Sequence, residues 1–249
     1  MVSITCKQLY TNFDPNSFFK SPNAHILSAG AGLFGTTQPI SNNSALIADS
    51  AGQIGTIHCH SASKQTHIGR WISSAGNDIT FTSTDAFDVG LQSGSFIYSY
   101  TTLAIKNGFS LLGASQGVYS CQIPDEKGIQ NILHIGIYPH GYAGRLQISS
   151  VQKVPSPSIV INCSTTGLPP TRVAWTKGGT QLVNNQMYQL SQFLIDRTTS
   201  AYSNLLTINQ MLQQSRGIYR CVVDSEQTGT NQSTSSRTVT TGKDCRKVG

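Results

Sequence analysis

The chain has 249 residues, which is enough for two domains of ordinary size, and its net charge is +6. Charged residues make up only 11% of the sequence, well below the usual ~25%, and Ser, Thr, Asn, Gln and Gly take their place. The basic residues are scattered, apart from Lys243, Arg246 and Lys247 near the C-terminus. Nucleic-acid binders show a basic stripe with interleaved aromatic residues, so this composition argues against that class and favours a β-rich extracellular protein.

The first half of the chain is predicted to be a series of short strands. Residues 1–44 show no steady period because Pro15, Pro22 and Pro39 interrupt them, although residues 24–33 are compatible with one or two edge strands. From residue 45 onward, short runs with alternating faces are separated by Gly, Asn, Asp and Ser turns, the pattern of a β-sandwich. The predicted strands are 45–47, 55–59, 70–72, 79–81, 96–98, 102–105, 117–123 and 132–138.

A short linker is predicted at 139–144, where one proline and two glycines interrupt the strand pattern. A second series of strands follows, and apart from a turn at 210–214 no segment has a helical period. These strands are 146–148, 158–163, 172–175, 187–195, 205–208, 218–223 and 237–240. We therefore expect a first domain at 1–140, a second at 145–241 and a disordered tail at 242–249.

A Cys…Trp…Gly-x-Tyr-x-Cys arrangement occurs twice in the chain. In both copies the tryptophan follows the first cysteine by twelve residues, and the tyrosine precedes the second cysteine by two. Several matched positions at matched offsets, repeated in one chain, form a stronger signal than a single match. The two copies are Cys59, Trp71, Tyr119 and Cys121, and Cys163, Trp175, Tyr219 and Cys221.

This arrangement resembles that of immunoglobulin-like domains, and its repetition resembles two such domains in tandem. The resemblance implies an all-β fold of two tandem Ig-like β-sandwiches. It also implies that each tryptophan packs on a disulfide between two sheets, while each tyrosine hydroxyl returns to the backbone at a sheet corner. By this resemblance the disulfides are Cys59–Cys121 and Cys163–Cys221, and the core residues are Trp71, Tyr119, Trp175 and Tyr219.

Further segments resemble the tandem Ig-like ectodomains that are abundant in sponge cell-surface proteins. The resemblance covers roughly residues 45–240 and is carried by segments 117–125, 135–138, 145–148, 188–190 and 201–208. Such modules lie outside the cell, often in longer chains with fibronectin-like domains and one membrane span. The family has no catalytic residues to carry over.

The resemblance implies an extracellular recognition or adhesion segment. It would bind a protein or glycan partner, on a cell surface or in the matrix, through loops and sheet faces, and self-association stays open. The alternative is the ligand-binding ectodomain fragment of a signalling receptor of the kinase or phosphatase type. These two hypotheses differ in what would follow residue 249, such as a membrane span with an effector domain.

Three motifs with possible chemistry have simpler interpretations. The Gly-rich run at 30–35 fits a dinucleotide fingerprint as a string, but Pro39 prevents the helix that such a site requires. His58, Cys59, His60 and His67 could suggest zinc, yet on a strand His58 and His60 point away from Cys59. The run at 113–117 leads into a strand and lacks the strand-to-helix turn of a hydrolase. We predict no catalytic, metal or cofactor site.

The six cysteines indicate an oxidising compartment, because four of them have partners in the repeated arrangement. The start of the chain does not resemble a secretory signal, and no stretch approaches the ~20 apolar residues of a membrane span. We expect an extracellular or cell-surface location with the signal and any membrane anchor outside this chain. A cytosolic protein with reduced cysteines is the alternative.

Cys6 and Cys245 lie outside the repeated arrangement, near opposite ends of the chain. Two sandwiches joined by a short linker usually form a rod, while a disulfide needs Cα atoms within about 7 Å. We expect that these two cysteines do not pair with each other. Each could be free, could bond another chain, or could have its partner outside this sequence.

Three N-glycosylation sequons are present, at Asn42, Asn162 and Asn231. A chain rich in Ser and Thr contains some sequons by chance, so the string alone is weak. Asn162 is distinguished by its neighbour: because Cys163 points into the core, Asn162 is predicted to point outward.

Overall fold

A computed structural model describes residues 25–30, 38–40, 42–47, 55–63, 69–79, 87–88, 97–105, 116–124, 130–154, 158–209, 215–225 and 233–241. The chain is all-β, and these residues form seventeen strands in four sheets. Over the part that is described, no helix is long and apolar enough to cross a membrane. The chain divides into two units, Met1–Tyr142 and Ala143–Gly249.

The described part of unit 1 contains nine strands in two sheets. One sheet has the order β2-β1-β4-β7-β6 and is antiparallel throughout. The other has the order β3-β9-β8-β5, in which β3 runs parallel to β9. The strands are β1 His25–Gly30, β2 Gln38–Ile40, β3 Ser44–Ile47, β4 Gly55–Ser63, β5 Arg70–Ile72, β6 Phe87–Asp88, β7 Ile97–Ile105, β8 Gly117–Pro124 and β9 Gln130–Tyr138.

The core of unit 1 lies around the bond between Cys59 on β4 and Cys121 on β8, which joins its two sheets. Successive residues of a strand point to opposite faces, so the alternate apolar positions of several strands meet here. Trp71 lies opposite Cys121 in the register of β5 and β8. The buried cluster consists of Leu46, Ile57, Cys59, Trp71, Leu103, Tyr119, Cys121, Ile135 and Ile137.

Within its described ranges, unit 2 contains eight strands in two four-stranded antiparallel sheets. Sheet I has the order β10-β11-β15-β14, and sheet II has the order β13-β12-β16-β17. The strands are β10 Gln147–Val154, β11 Ile159–Thr166, β12 Arg172–Lys177, β13 Thr180–Gln181, β14 Tyr188–Asp196, β15 Ala201–Ile208, β16 Gly217–Ser225 and β17 Ser233–Thr241.

Burial alternates along β11 and β15 as a two-layer sandwich requires. Ile161, Cys163 and Thr165 point inward from β11, and each is fully buried. The inward residues of β15 are Tyr202, Asn204, Leu206 and Ile208. After β11, Gly167 has φ +95°, and a Cβ there would collide with the carbonyl oxygen of Arg145, so this turn requires glycine.

The outer edge of β14 is closed over its first residues by two asparagine side chains. Asn185 Oδ1 accepts a hydrogen bond from the backbone N–H of Tyr188 at 2.8 Å. The backbone N–H of Asn185 donates to the Tyr188 carbonyl at 2.8 Å. Asn184 receives the backbone N–H of Leu190 at 2.6 Å. These groups point away from β15, so the two asparagines, through their side-chain oxygens and the Asn185 backbone N–H, satisfy backbone groups that a sheet edge otherwise leaves open.

Candidate functional site

The repeated arrangement forms the centre of unit 2. Cys163 on β11 is bonded to Cys221 on β16, with Cα atoms 6.5 Å apart, and this bond joins sheets I and II. Trp175 lies opposite Cys221 in the register of β12 and β16 and is 1% exposed. The Tyr219 hydroxyl donates to the Ser215 carbonyl at 2.6 Å. These residues hold the sheets together, and their burial removes them from contact with a partner.

Unit 1 has the same arrangement. Cys59 and Cys121 are bonded with Cα atoms 6.4 Å apart, and both Trp71 and Tyr119 are buried. Burial raises the pKa of the Tyr119 hydroxyl above its usual value, and a hydrogen bond with Ser74 opposes this shift. The hydroxyl therefore stays protonated at neutral pH.

Removing the Tyr219 hydroxyl tests its structural role. Burial, followed by its contact with Tyr188, raises the Tyr219 pKa, so the hydroxyl is a neutral donor to the buried Ser215 carbonyl. We expect Tyr219→Phe to lower the free energy of unfolding by about 1–2 kcal/mol, because the buried Ser215 carbonyl loses its shorter hydrogen bond and keeps only that from the Thr241 hydroxyl at 3.3 Å. Urea unfolding measures the change. Tyr188→Phe removes a neighbouring hydroxyl whose hydrogen bond is to Tyr219 itself and whose residue is only half-buried, so this variant should change stability less.

Asn204 is a buried polar residue that the sequence did not single out. Its Nδ2 donates to the Cys163 carbonyl at 2.9 Å and to Thr165 Oγ1 at 3.3 Å. Its Oδ1 accepts from Gln192 Nε2 at 3.0 Å. Asn204 thus links β11, β15 and β14 beside the disulfide. The available signal was an asparagine at an inward position of an alternating strand, where a buried amide needs partners.

Three central rows of the outer face of sheet I carry no charged residue, and we name them the charge-free face. Asp196, opposite Ala201, lies in the row beyond them. The residues of the charge-free face are fixed by the register of the four strands, which aligns them in three rows. Phe193 is 52% exposed there, and the other side chains are mostly hydroxyls and amides. The rows are Val154, Val160, Thr207 and Gln189; Gln152, Asn162, Leu205 and Ser191; and Ser150, Ser164, Ser203 and Phe193.

The outer face of sheet II is different, and we name two of its residues near the start of β16, Ile218 and Arg220, the Ile218–Arg220 patch. Ile218 is 60% exposed. The Arg220 guanidinium donates to Ser236 Oγ at 2.7 Å, and no acidic side chain among the described residues is within ion-pair distance of it. Elsewhere on this face Arg172 pairs with Asp224 at 3.4 Å. The patch therefore combines an apolar side chain with a cation available to a partner.

An immunoglobulin-domain family model matches residues 145–225. Unit 2 contains an immunoglobulin domain. The matched residues run from Arg145 through β16. They include the disulfide, Trp175, Tyr219 and the central strands of sheets I and II. No curated protein matches the chain. Domains of this family generally bind other molecules and do not catalyse reactions, and the disulfides are consistent with an extracellular location.

The sequons occupy different environments. Asn162, in the immunoglobulin domain, lies at the centre of the charge-free face. Asn42, in unit 1, is exposed in a turn before β3, and its Oδ1 accepts the backbone N–H of His134 at 2.6 Å. Asn231 lies outside the described residues, as do Cys6, Cys245, His67 and the tail at 242–249.

One serine–histidine contact resembles a catalytic pair. Ser120 Oγ and His134 Nδ1 are 2.7 Å apart, directly opposite each other on β8 and β9. Ser120 is fully buried, so no substrate atom can reach its hydroxyl. We interpret the contact as a cross-strand hydrogen bond. Where side chains are described, no group of His, Cys, Asp and Glu is arranged to hold a metal ion.

An open cavity of about 220 Å³ lies between the sheets of the immunoglobulin domain, beside β14. It has no titratable group, so it offers no acid–base chemistry. Trp175 lines it, and the buried indole N–H of Trp175 has no hydrogen-bond partner in the described part of the chain. The lining residues are Val173, Trp175, Leu190, Ser191, Gln192 and Leu205.

Proposed function

We propose that the chain is an extracellular recognition or adhesion segment made of two tandem Ig-like sandwiches. The immunoglobulin-domain match of unit 2 supports this assignment. For unit 1 the support is the same arrangement of disulfide, buried tryptophan and buried tyrosine across two sheets. The likeness of the sequence to sponge cell-surface ectodomains favours the same location. The partner is a protein or glycan on a cell surface or in the matrix.

The Ile218–Arg220 patch carries this proposal. Arginine and apolar side chains are enriched at the centres of interfaces, where the guanidinium forms bidentate hydrogen bonds with carboxylates. Here Arg220 is held on a rigid central strand by Ser236, so little side-chain entropy is lost on binding. The partner should therefore present a carboxylate next to an apolar group. Acidic protein surfaces and acidic glycans both meet this description.

The receptor-ectodomain hypothesis requires the same surface. Both hypotheses place ligand binding in this chain and differ only in what the binding controls. A binding measurement on the chain itself therefore tests the part that they share.

Binding of the oxidised chain can be measured with coated fluorescent beads. The beads are applied to an array of neutral and acidic glycans, to immobilised matrix proteins and to beads that carry the chain itself. We expect binding in at least one arm, reduced about tenfold by Arg220→Ala, which is the effect of losing one good charged contact. Arg145→Ala is the control, because it removes the same charge from an exposed position outside the patch.

Two results would contradict the proposal. Beads that bind no better than albumin-coated beads in every arm would remove the recognition function. Equal loss in the Arg220→Ala and Arg145→Ala chains would show that net charge alone drives binding, and the patch would then have no specific role.

A further inference from the structure

Asn162 is placed for modification by the strand it lies on. It lies next to the disulfide-bonded Cys163, so its side chain points to the outer face of sheet I, and Ser164 of the same sequon is hydrogen-bonded to it. Asn162 Nδ2 donates to Ser164 Oγ at 3.2 Å, and Ser203 Oγ donates to Asn162 Oδ1 at 2.8 Å. Both bonds are compatible with a substituted amide nitrogen, because Nδ2 carries two hydrogens and needs only one for Ser164.

The surroundings of Asn162 fit a carbohydrate. In its row Asn162 lies between Gln152 and Leu205, and in the next row the two central positions are the small residues Ser164 and Ser203. Hydroxyl and amide groups can hydrogen-bond sugar hydroxyls, while the exposed ring of Phe193 offers an apolar surface to a sugar ring. Three adjacent rows without a charge are also poorly solubilised on their own, and a surface glycan supplies solubility.

We propose that Asn162 carries an N-linked glycan that covers the charge-free face and leaves the face with the Ile218–Arg220 patch open. This inference rests on the proposed extracellular function, because the secretory pathway supplies the sugar donor. In the transfer, Asn162 Nδ2 loses one proton and forms a bond to C1 of N-acetylglucosamine. The bond from that C1 to the diphosphate of a lipid-linked oligosaccharide breaks, and the lipid diphosphate leaves with the electron pair.

The middle residue of this sequon is Cys163, which allows a second test: the order in which the glycan is added and the disulfide closes. Cys163 is bonded to Cys221, and once that bond closes Asn162 is held in a central strand of sheet I. A transferase needs an accessible, adaptable segment, so the sugar must be added before the bond closes. Delaying disulfide formation in living cells with a mild reductant should therefore raise the occupancy of Asn162. Asn42 precedes β3 in an exposed turn without a cysteine in its sequon, and its occupancy should stay unchanged.

The experiment expresses the full chain behind a host signal sequence in eukaryotic cells. Secreted protein is digested, and glycopeptides are compared before and after enzymatic release of N-glycans by mass spectrometry. We expect a glycan on Asn162 that is lost in both Asn162→Gln and Ser164→Ala. The second variant keeps the asparagine, so it separates loss of the glycan from loss of the Asn162–Ser203 hydrogen bond.

Coverage of the face is tested by hydroxyl-radical oxidation of the secreted protein. Phe193 is 52% exposed and Ile218 is 60% exposed on the opposite face, so they form a matched pair. Oxidation of Phe193 should rise about twofold when the glycan is absent, because the ring then regains the 52% exposure that it has in the bare chain, while oxidation of Ile218 should not change. Equal oxidation of Phe193 in both forms would mean that the glycan extends away from the sheet.

Failure of this inference is distinct from failure of the proposed function. Secreted chain with both disulfides formed, bead binding intact and Asn162 unmodified would overturn the glycan and leave the recognition function standing. A glycosylated Asn162 with no bead binding would confirm the glycan and overturn the recognition function.

Discussion

Replacing Trp175 by Ala should lower the free energy of unfolding of the immunoglobulin domain by about 3–5 kcal/mol. Trp175 is among the largest fully buried side chains of the chain, and it lies opposite Cys221 on the neighbouring strand. Removing the indole loses its burial free energy and also leaves a void beside the existing cavity, which sheet I cannot fill without distortion. Urea unfolding followed by circular dichroism measures the difference.

The control for this prediction is Ile218→Ala, because Ile218 is also large and apolar but 60% exposed. That change should alter stability by at most about 0.5 kcal/mol, as surface substitutions usually do. Trp71→Ala should destabilise unit 1 for the same reason, since Trp71 is fully buried. A Trp175→Ala chain that kept its stability and lost bead binding would show instead that Trp175 contacts the partner.

Replacing both Cys163 and Cys221 by Ala should lower the free energy of unfolding of the same domain by about 4 kcal/mol. The two residues are 58 positions apart, and a bond that closes a loop of this length restricts the unfolded chain strongly. A domain has a net stability of only ~5–15 kcal/mol, so the variant loses a large share of it and should unfold at a clearly lower temperature. Thermal unfolding under non-reducing conditions measures the loss.

The matched control is the pair Cys59 and Cys121, which are 62 positions apart in unit 1. Replacing this pair should lower the transition of unit 1 and leave that of the immunoglobulin domain in place, because each disulfide lies in its own core. If either double variant moved both transitions equally, the two units would not be separate folding domains. If neither moved any transition, the disulfides would not contribute to stability.

The central arrangement of each unit was predictable because it depends on spacing along the chain. Trp175 follows Cys163 by twelve residues, and that distance carries the chain out of β11, around a turn and back along β12. The pairing of Trp175 with Cys221 then follows from the antiparallel register of β12 and β16. The all-β fold follows from the same short alternating runs, since each must bury one face against another sheet.

Several strands could not be predicted. β6 and β13 have two residues each and β2 has three, which is too short for alternation to be visible in a sequence. The strand predicted at 79–81 was wrong at Ile79, where the structure has only a bridge between Ile72 and Asp78. The reason is a tight turn with Gly76 at φ +85°, which returns the chain onto β5 within a few residues. Residues 80 and 81 lie outside the described ranges.

The sets of residues that lie side by side on the two faces of the immunoglobulin domain could be identified only from the structure. The sequence predicts that Asn162 points outward, but its neighbours depend on which residues of other strands lie beside it. That alignment includes a bulge between Ile148 and Ser150, which shifts β10 by one residue against β11. Without the bulge, the neighbours of Asn162 on β10 would come from the opposite side of the strand. The absence of charge on this face is therefore a property of the register.

The asparagine side chains on the edge of β14 bear on how the protein behaves at high density. An exposed edge strand without such protection can template strand addition by neighbouring molecules, which leads to fibrous aggregates. Asn184 and Asn185 form hydrogen bonds with the backbone groups of Tyr188 and Leu190 that an added strand would use first. Copies at high local concentration can thus touch through side chains without merging their sheets, and contacts of that kind stay reversible.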